Sequence, residues 1–389
     1  MRWGAGTVSG DMTRTAVLAL LARGGPLSRA EIAERLELSP ATLTASTRRL
    51  LAEGLVVEGD PRSTMQTGRP SIPLALVPES VHVLGVQVAH EHVTGVLTRL
   101  DAEIVHGFRR GFDPAAPDAV DTLIDLIRTE IAETARRGLR LAGLGVAVPG
   151  VVDPENGTLR MSVRLGWTGM PLAARLRLAL KLPVFVDNDI SAVTAAERLY
   201  GPGADCSDFL LLAIGQGIGL GMVLDGAPYR GAAGAAGEFG HLPVLPDGPE
   251  CSCGNRGCLE TQVSTESLLR RAAESGILAP GAELEDLRAA ADGGDAAARA
   301  LLADAGELLG RSLAGTVNLL GPERVVLIGE IVPLWPHLEP AFQDALARHL
   351  LPGVRGIGLD VRPWSDELIA AGAARVVLGA PLAAPRQRG

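Results

Sequence analysis

The chain has 389 residues, 47% hydrophobic and 21% charged, enough for two or three packed domains and too apolar for a disordered chain. Its net charge is −9, which excludes a general nucleic-acid binder. The charge is uneven: residues 1–75 carry nine Arg against seven Asp or Glu, a net +2, which leaves −11 for the rest. A mildly basic head on an acidic body fits a protein that touches DNA at one end only. No apolar run reaches the ~18 residues of a membrane span, and the N-terminus lacks a signal-peptide layout, so a cytoplasmic protein is expected.

In chain order, Thr13 to Arg23 has apolar residues at Val17, Leu18, Leu20 and Leu21, a helical stripe stopped by Gly24-Gly25-Pro26. Ser28-Arg29-Ala30-Glu31 is a capping box opening a second short helix through Ile32, Ala33 and Leu36. Glu37-Leu38 makes a tight turn. Ser39 then caps a third helix with Pro40 at its first position. Leu43, Thr47, Leu50 and Leu51 form its buried face, Gly54 ends it, and a strand starts at Leu55-Val56-Val57. Two short helices, a turn, a third helix and a hairpin describe a winged helix-turn-helix. A helical protein-interaction module could share the pattern, but the turn length, the cap and the Arg placement favour DNA binding. The outward residues Thr42, Thr44 and Ser46, followed by Arg48 and Arg49, suit phosphate and base-edge contacts in a major groove. Arg62 to Pro70 is polar and irregular. Its Gly68-Arg69-Pro70 fits a minor-groove arm carrying Arg62 and Arg69 or, equally well, a plain interdomain linker.

From Val81 the pattern predicts three strands (Val81–Ala89, Val93–Leu100, Glu103–Gly111), a helix over Asp118–Arg137 and a buried strand at Leu141–Val148. A second start of strands follows at Phe209–Ile214 and Gly217–Leu224, with a short one near Leu242, then helices and a buried strand at Arg324–Ile328. Two such copies predict a two-lobed α/β body of the actin-like, sugar-kinase-like (RNase H-like) kind, with ligands gathering beyond the strand ends. The expected domains are 1–75 (winged helix-turn-helix and linker), 76–200 (first lobe) and 201–366 (second lobe). A C-terminal helix at 367–380 would return to the first lobe.

Several motifs then stand out. Gly143-Leu144-Gly145-Val146-Ala147-Val148-Pro149-Gly150 closes the buried strand, and Val186-Asp187-Asn188-Asp189 ends another. Gly237-Glu238-Phe239-Gly240-His241 precedes Cys251-Ser252-Cys253-Gly254-Asn255-Arg256-Gly257-Cys258-Leu259-Glu260. Together with the head, these make the chain resemble the ROK family of repressors and sugar kinases over nearly its whole length. The pairing of the His241 and Cys motifs is its most specific part. The resemblance implies a sugar-responsive, DNA-binding transcriptional regulator.

Three of the four cysteines, Cys251, Cys253 and Cys258, lie within eight positions. With His241 they offer one imidazole and three thiolates, a set suited to tetrahedral Zn²⁺ with no open position, and so to a structural site. Cys206 stands apart. Sugar hydroxyls are best held by carboxylates and amides in bidentate pairs. Asn188 and Asp189 at a strand end, and Glu238 and Glu260 flanking the metal motif, offer these. In the family the residues matching Asn188, Asp189, Glu238, His241 and Glu260 bind the sugar.

A kinase of this fold also needs an Asp-x-Gly-Gly-Thr turn after its first strand to manage Mg²⁺ and phosphate. Here Gln87 replaces the acid, and Ala89, His90 and Glu91 replace the cradle. Gly215-Gln216-Gly217-Ile218-Gly219 keeps the glycines of the second phosphate loop, whereas Gly329-Glu330 puts an acid where a second Gly belongs. Asp189 survives at the position of the kinase base. The expectation is therefore a degenerate sugar kinase with no enzyme activity. The alternative is an ATP-dependent hexose or N-acetylhexosamine kinase with an accessory head. Operator DNA, a small carbohydrate effector and a homodimer or homotetramer complete the expected partners.

Overall fold

The computed structural model describes residues 10–60, 71–354 and 356–379. The chain divides into two compact units. The first comprises Met1–Ser207, Asp225–Ala235 and Asp366–Gly389; the second comprises Asp208–Leu224 and Ala236–Ser365.

The first unit begins with helix Gly10–Gly24, then Arg29–Arg35 and Pro40–Ala52. Local chemistry sets these boundaries. Ser28 accepts the Glu31 N–H while Glu31 reaches back to the Ser28 N–H at 2.7 Å. Glu37 takes a left-handed φ of 50° to turn the chain. Ser39 then caps the third helix by accepting the Thr42 N–H. Gly54, at φ 71°, ends it as a glycine should. Strand Val56–Glu58 pairs antiparallel with Pro73–Leu76, which also pairs with Leu27–Ser28. The result is a winged helix-turn-helix. The segment that would carry Arg62, Arg69 and the Gly68-Arg69-Pro70 arm lies outside the described residues.

Behind the head stands a five-stranded sheet in the order Val184–Asn188, Leu141–Val148, His82–Val88, His92–Arg99, Ile104–Gly111. The first three strands run parallel; the last two form an antiparallel meander. Leu84, Val86 and Val88 face helix Ala119–Arg136 through Leu123 and Ile127. The opposite face carries helices Asp189–Tyr200 and Asp366–Gly379. The second lies so close that a Cβ on Gly85 or Gly145 would come within 2.0 Å of the Ala370 or Ala373 carbonyl. Glycine is the residue that permits this approach. Val17, Leu21, Leu27 and Leu74 of the head share one core with Val81, Val83, Leu100, Ala374 and Val377. The head is therefore packed onto the sheet, not strung from it.

In the second unit, strands Ile218–Leu224, Phe209–Ile214, Arg324–Ile328 and Gly358–Val361 lie in that order, the first pair antiparallel and the others parallel. Helix Ala296–Leu320 packs on Trp335–His349 at Gly306 and Gly310, where a Cβ would meet the Leu338 or Phe342 carbonyl at 2.3 Å. The expected strand near Leu242 is not formed. Phe239–His241 is a single 3-10 turn, and only an isolated bridge joins Pro243 to Cys258. The chain turns there at Gly237, φ 94°, and packs so closely that a Cβ on Gly237 or Gly240 would lie 2.1 or 2.6 Å from the Leu220 or Ile218 carbonyl. The small sheet of Val151–Val152, Leu159–Ser162 and Trp167–Met170 in the first unit has no sequence signal beyond its glycines.

Candidate functional site

The recognition helix Pro40–Ala52 buries Leu43, Thr47 and Leu50 and leaves Thr42, Thr44, Arg48 and Arg49 exposed. The Thr42 hydroxyl is shared with Ser39 at 2.8 Å, and Thr44 donates to the Pro40 carbonyl at 2.7 Å. Ser46 departs from the outward-facing expectation: it is half-buried, and its hydroxyl is enclosed with no partner among the described residues. Arg49 leans on Glu53 at 3.2 Å, and Glu53 is also gripped by the buried Arg14 at 2.6 Å. The C-terminal half of the helix is thus tied to the first helix, leaving Arg48 as the more available cation.

In the second unit, His241, Cys251, Cys253 and Cys258 bring one ligand atom each to within 4.8 Å of one another. His241 Nδ1 is 3.4 Å from Cys251 Sγ, and Cys253 Sγ is 3.7 Å from Cys258 Sγ. A tetrahedron with ~2.3 Å metal–sulfur bonds has edges of about 3.8 Å, so the Cys253 and Cys258 thiols already stand at the separation a bound ion would impose. The turn is built for it. Cys251 N–H donates to the Asn255 carbonyl at 2.8 Å, and Gly254 and Gly257 take positive φ. At Gly257 a Cβ would lie 1.7 Å from the Leu245 carbonyl, so only glycine closes the knuckle. Burial pushes the Cys258 thiol up to about 12, while the Asn255 backbone N–H draws Cys253 down. A dication reverses the first effect, because it binds thiolate alone. These residues fit a soft four-coordinate metal.

The His241 ring turns Nδ1 toward the thiols, so Nδ1 is the atom it would offer to such a metal. Its Nε2 faces the Glu238 carboxylate at 3.7 Å, a partner of the kind that orients ligating imidazoles. Burial pushes the Glu238 carboxyl up; His241 opposes this and Glu260 adds to it. Glu260 follows the knuckle directly and accepts the Ile218 N–H at 3.1 Å, fixing one oxygen.

In the first unit, Asn188 ends strand Val184–Asn188 and caps helix Asp189–Tyr200. Its Oδ1 accepts the Ser191 N–H and its Nδ2 donates to the Gly150 carbonyl, each at 3.0 Å. Asp189 is the first helical residue and accepts the Ile190 N–H. The structure thus brings Asn188 and Asp189 together in one unit, and Glu238, His241 and Glu260 together in the other. Arg230 clasps Asp187, a contact that no spacing in the sequence foreshadows, since 43 positions separate the two.

At the turn after the first body strand, Gln87 is 8% exposed with Oε1 unpartnered among the described residues. His90 Nδ1 lies 3.0 Å from the Arg164 carbonyl. In the second unit, Gly215 N–H donates to Gly217 O, and Thr265 N–H donates to Gly215 O, both at 2.9 Å.

Residues 83–378 match the ROK family and residues 11–63 match the MarR family. The chain belongs to the ROK family. Over 380 residues it is 29% identical to the N-acetylglucosamine repressor of Escherichia coli O6:H1, covering 96% of this chain and 93% of that one. A ROK family transcriptional regulator described as a homologue of the E. coli Mlc protein superposes with a TM-score of 0.82 at 27% identity, covering 96% of this chain and 98% of that one. A ROK hexokinase from Thermus thermophilus superposes with a TM-score of 0.64 at 29% identity, covering 77% of this chain and 97% of that one. Among the described residues, no helix is long and apolar enough to cross a membrane.

Proposed function

We propose that the chain is a sugar-responsive DNA-binding transcriptional regulator that represses carbohydrate genes and has no kinase activity. The observation that carries this reading is the winged helix-turn-helix joined to a ROK body, alike over 96% of the chain to a protein named as a repressor and to another named as a transcriptional regulator. Thr42, Thr44, Arg48 and Arg49, with Arg62 and Arg69 outside the described residues, read the operator, and Ser46, whose hydroxyl is enclosed, does not. Asn188, Asp189, Glu238, His241 and Glu260 are assigned to the sugar. His241, Cys251, Cys253 and Cys258 hold a structural Zn²⁺, which fixes the backbone that presents Glu238 and Glu260. The division of labour follows 1–75 for DNA, and 76–200 with 201–366 for the effector.

The kinase is degenerate in this reading. Gln87 cannot replace a carboxylate on the Mg²⁺ side, Glu91 would repel phosphate, and Glu330 puts a bulky acid in the adenosine-side turn, where it would obstruct a nucleotide. A kinase with an accessory head is the second reading, favoured by Asp189 and by the surviving glycines of Gly215–Gly221. Paired heads need a symmetric oligomer, a homodimer or homotetramer, on a repeated site. The site of action is the cytoplasm.

A sugar releases DNA only through its differential affinity for the two states. The test is fluorescence anisotropy with DNA from upstream of the chain's own gene and its neighbours, titrated with glucose, xylose, N-acetylglucosamine and their phosphates. Tight binding to one fragment, steep loss with salt and release by one sugar are expected. Equal affinity for every fragment, with no sugar effect, overturns the reading.

A further inference from the structure

The segment Asp225–Ala235 belongs to the first unit, although the chain before and after it belongs to the second. Several contacts hold it there. Gly226 N–H donates to the Ser207 carbonyl at 2.8 Å, and the buried Arg198 donates Nε to the Gly226 carbonyl at 3.2 Å. Gly234 sits where a Cβ would be 2.3 Å from the Val152 carbonyl. Between these, Arg230 clasps Asp187 with two parallel bonds of 2.5 and 2.6 Å.

Asp187 is 8% exposed and stands at the head of a relay. Its Oδ1 also accepts the Asn188 N–H at 2.9 Å. Asn188 then caps helix Asp189–Tyr200 through Ser191 and ties to Gly150. At the far end of that helix, Leu199 faces Ala16, Ala19 and Leu20 of the first head helix across a cavity of about 340 Å³. The Arg375 guanidinium lies 5.5 Å from the centre of the Tyr200 ring. One helix therefore has its N-cap on the clasp and its last turn against the DNA-binding head.

We propose that Arg230 is a positioning residue for this strand end. By holding the plane of the Asp187 carboxylate it sets Asn188 and the first turn of helix Asp189–Tyr200, and so the coupling of that end to the head. A guanidinium fork fixes a carboxylate plane; an ammonium, being a point charge, does not. The clasp itself is read from the first unit alone. Its bearing on effector response rests on the regulator reading above.

The test is amide hydrogen exchange on the full chain, comparing wild type, Arg230→Lys and Arg230→Met. Exchange at Asn188 and Ser191 rises about tenfold or more in Arg230→Met, because local opening becomes easier. It rises by less in Arg230→Lys, while Leu144–Val148 in the adjacent strand keep wild-type rates. A purely structural role predicts instead that exchange speeds evenly across the unit, and that result overturns the proposal, as do unchanged rates at Asn188 and Ser191. Should Arg230→Met not fold, Arg230→Lys alone decides by the same two amides. A second arm titrates glucose, xylose and N-acetylglucosamine by thermal shift. Failure of every sugar and of DNA binding in the wild type counts against the regulator reading, and leaves the exchange result to judge Arg230.

Discussion

The Thr265 hydroxyl donates to Glu330 Oε2 at 3.1 Å, and the same carboxylate lies 3.4 Å from where Gly215 would carry a Cβ. An acid is thus moored beside Gly215, and a nucleotide brought to this loop, as the kinase reading requires, would meet its charge. Two like charges a few ångströms apart repel even when partly solvated. ATP with Mg²⁺ should leave the wild-type melting temperature unchanged. No ADP should form above a protein-free blank with glucose or N-acetylglucosamine. Replacing Glu330 by Gly should raise nucleotide affinity by about tenfold or more, measured by calorimetry. Turnover by the wild type would establish the kinase reading instead.

Removal of the metal provides an independent check. Elemental analysis of the purified chain should give one zinc per polypeptide. His241→Ala and Cys251→Ser should each lose it, whereas Cys206→Ser, at a buried thiol outside the cluster, should keep it. Because ligand binding to the folded state is folding free energy, a strong chelator should lower the melting temperature of the wild type and have no further effect on Cys251→Ser. A chelator-insensitive wild type free of zinc would sink the assignment.

What the amino-acid order makes legible is local. The Ser28–Glu31 capping box, the Ser39–Pro40 start and the Gly54 stop are contacts between residues a few positions apart, and each forms as the pattern requires. The clustering of Cys251, Cys253 and Cys258 was legible for the same reason. The Arg230–Asp187 and Thr265–Glu330 contacts were not, because 43 and 65 positions separate the partners and only the tertiary fold brings them together. Near Leu242, apolar residues suggested a strand, but tight packing at Gly237 and Gly240 left a turn and one bridge. The small polar side chain of Ser46 suggests a solvent-facing residue, yet the packing of the head encloses its hydroxyl.

Acid sensitivity should trace in part to His82. Its ring is 1% exposed, and Nδ1 has no partner among the described residues. Burial lowers its pKa below 6.5, Glu79 opposes this, and Arg99 adds to the lowering. The folded state therefore prefers the neutral ring, and the unfolded chain takes up the proton first. The stability this group contributes is complete above about pH 6.5 and is lost as pH falls below it toward the folded value. Urea midpoints at about pH 7 and pH 5 should differ less in His82→Leu than in wild type. An identical difference would remove His82 from the account.

Operator reading should depend on Arg48 more than on Arg49. Both are exposed on the recognition helix, but Arg49 is held by Glu53, which the buried Arg14 also fixes. Redirecting Arg49 to DNA means breaking an ion pair, and Arg48 carries no such cost. Arg48→Ala should weaken operator binding by about 1–3 kcal/mol if it meets a base edge, with specificity relaxed at one base pair. If it meets a phosphate, binding falls on all sequences and the slope of log affinity against log salt drops by about one. Arg69→Ala, in the segment between the two wing strands, should weaken binding most on sites with A·T-rich flanks, where the minor groove is narrow. Anisotropy titrations at several salt concentrations separate these outcomes. Wild-type affinity in both variants would mean that the head does not read DNA through this helix and arm.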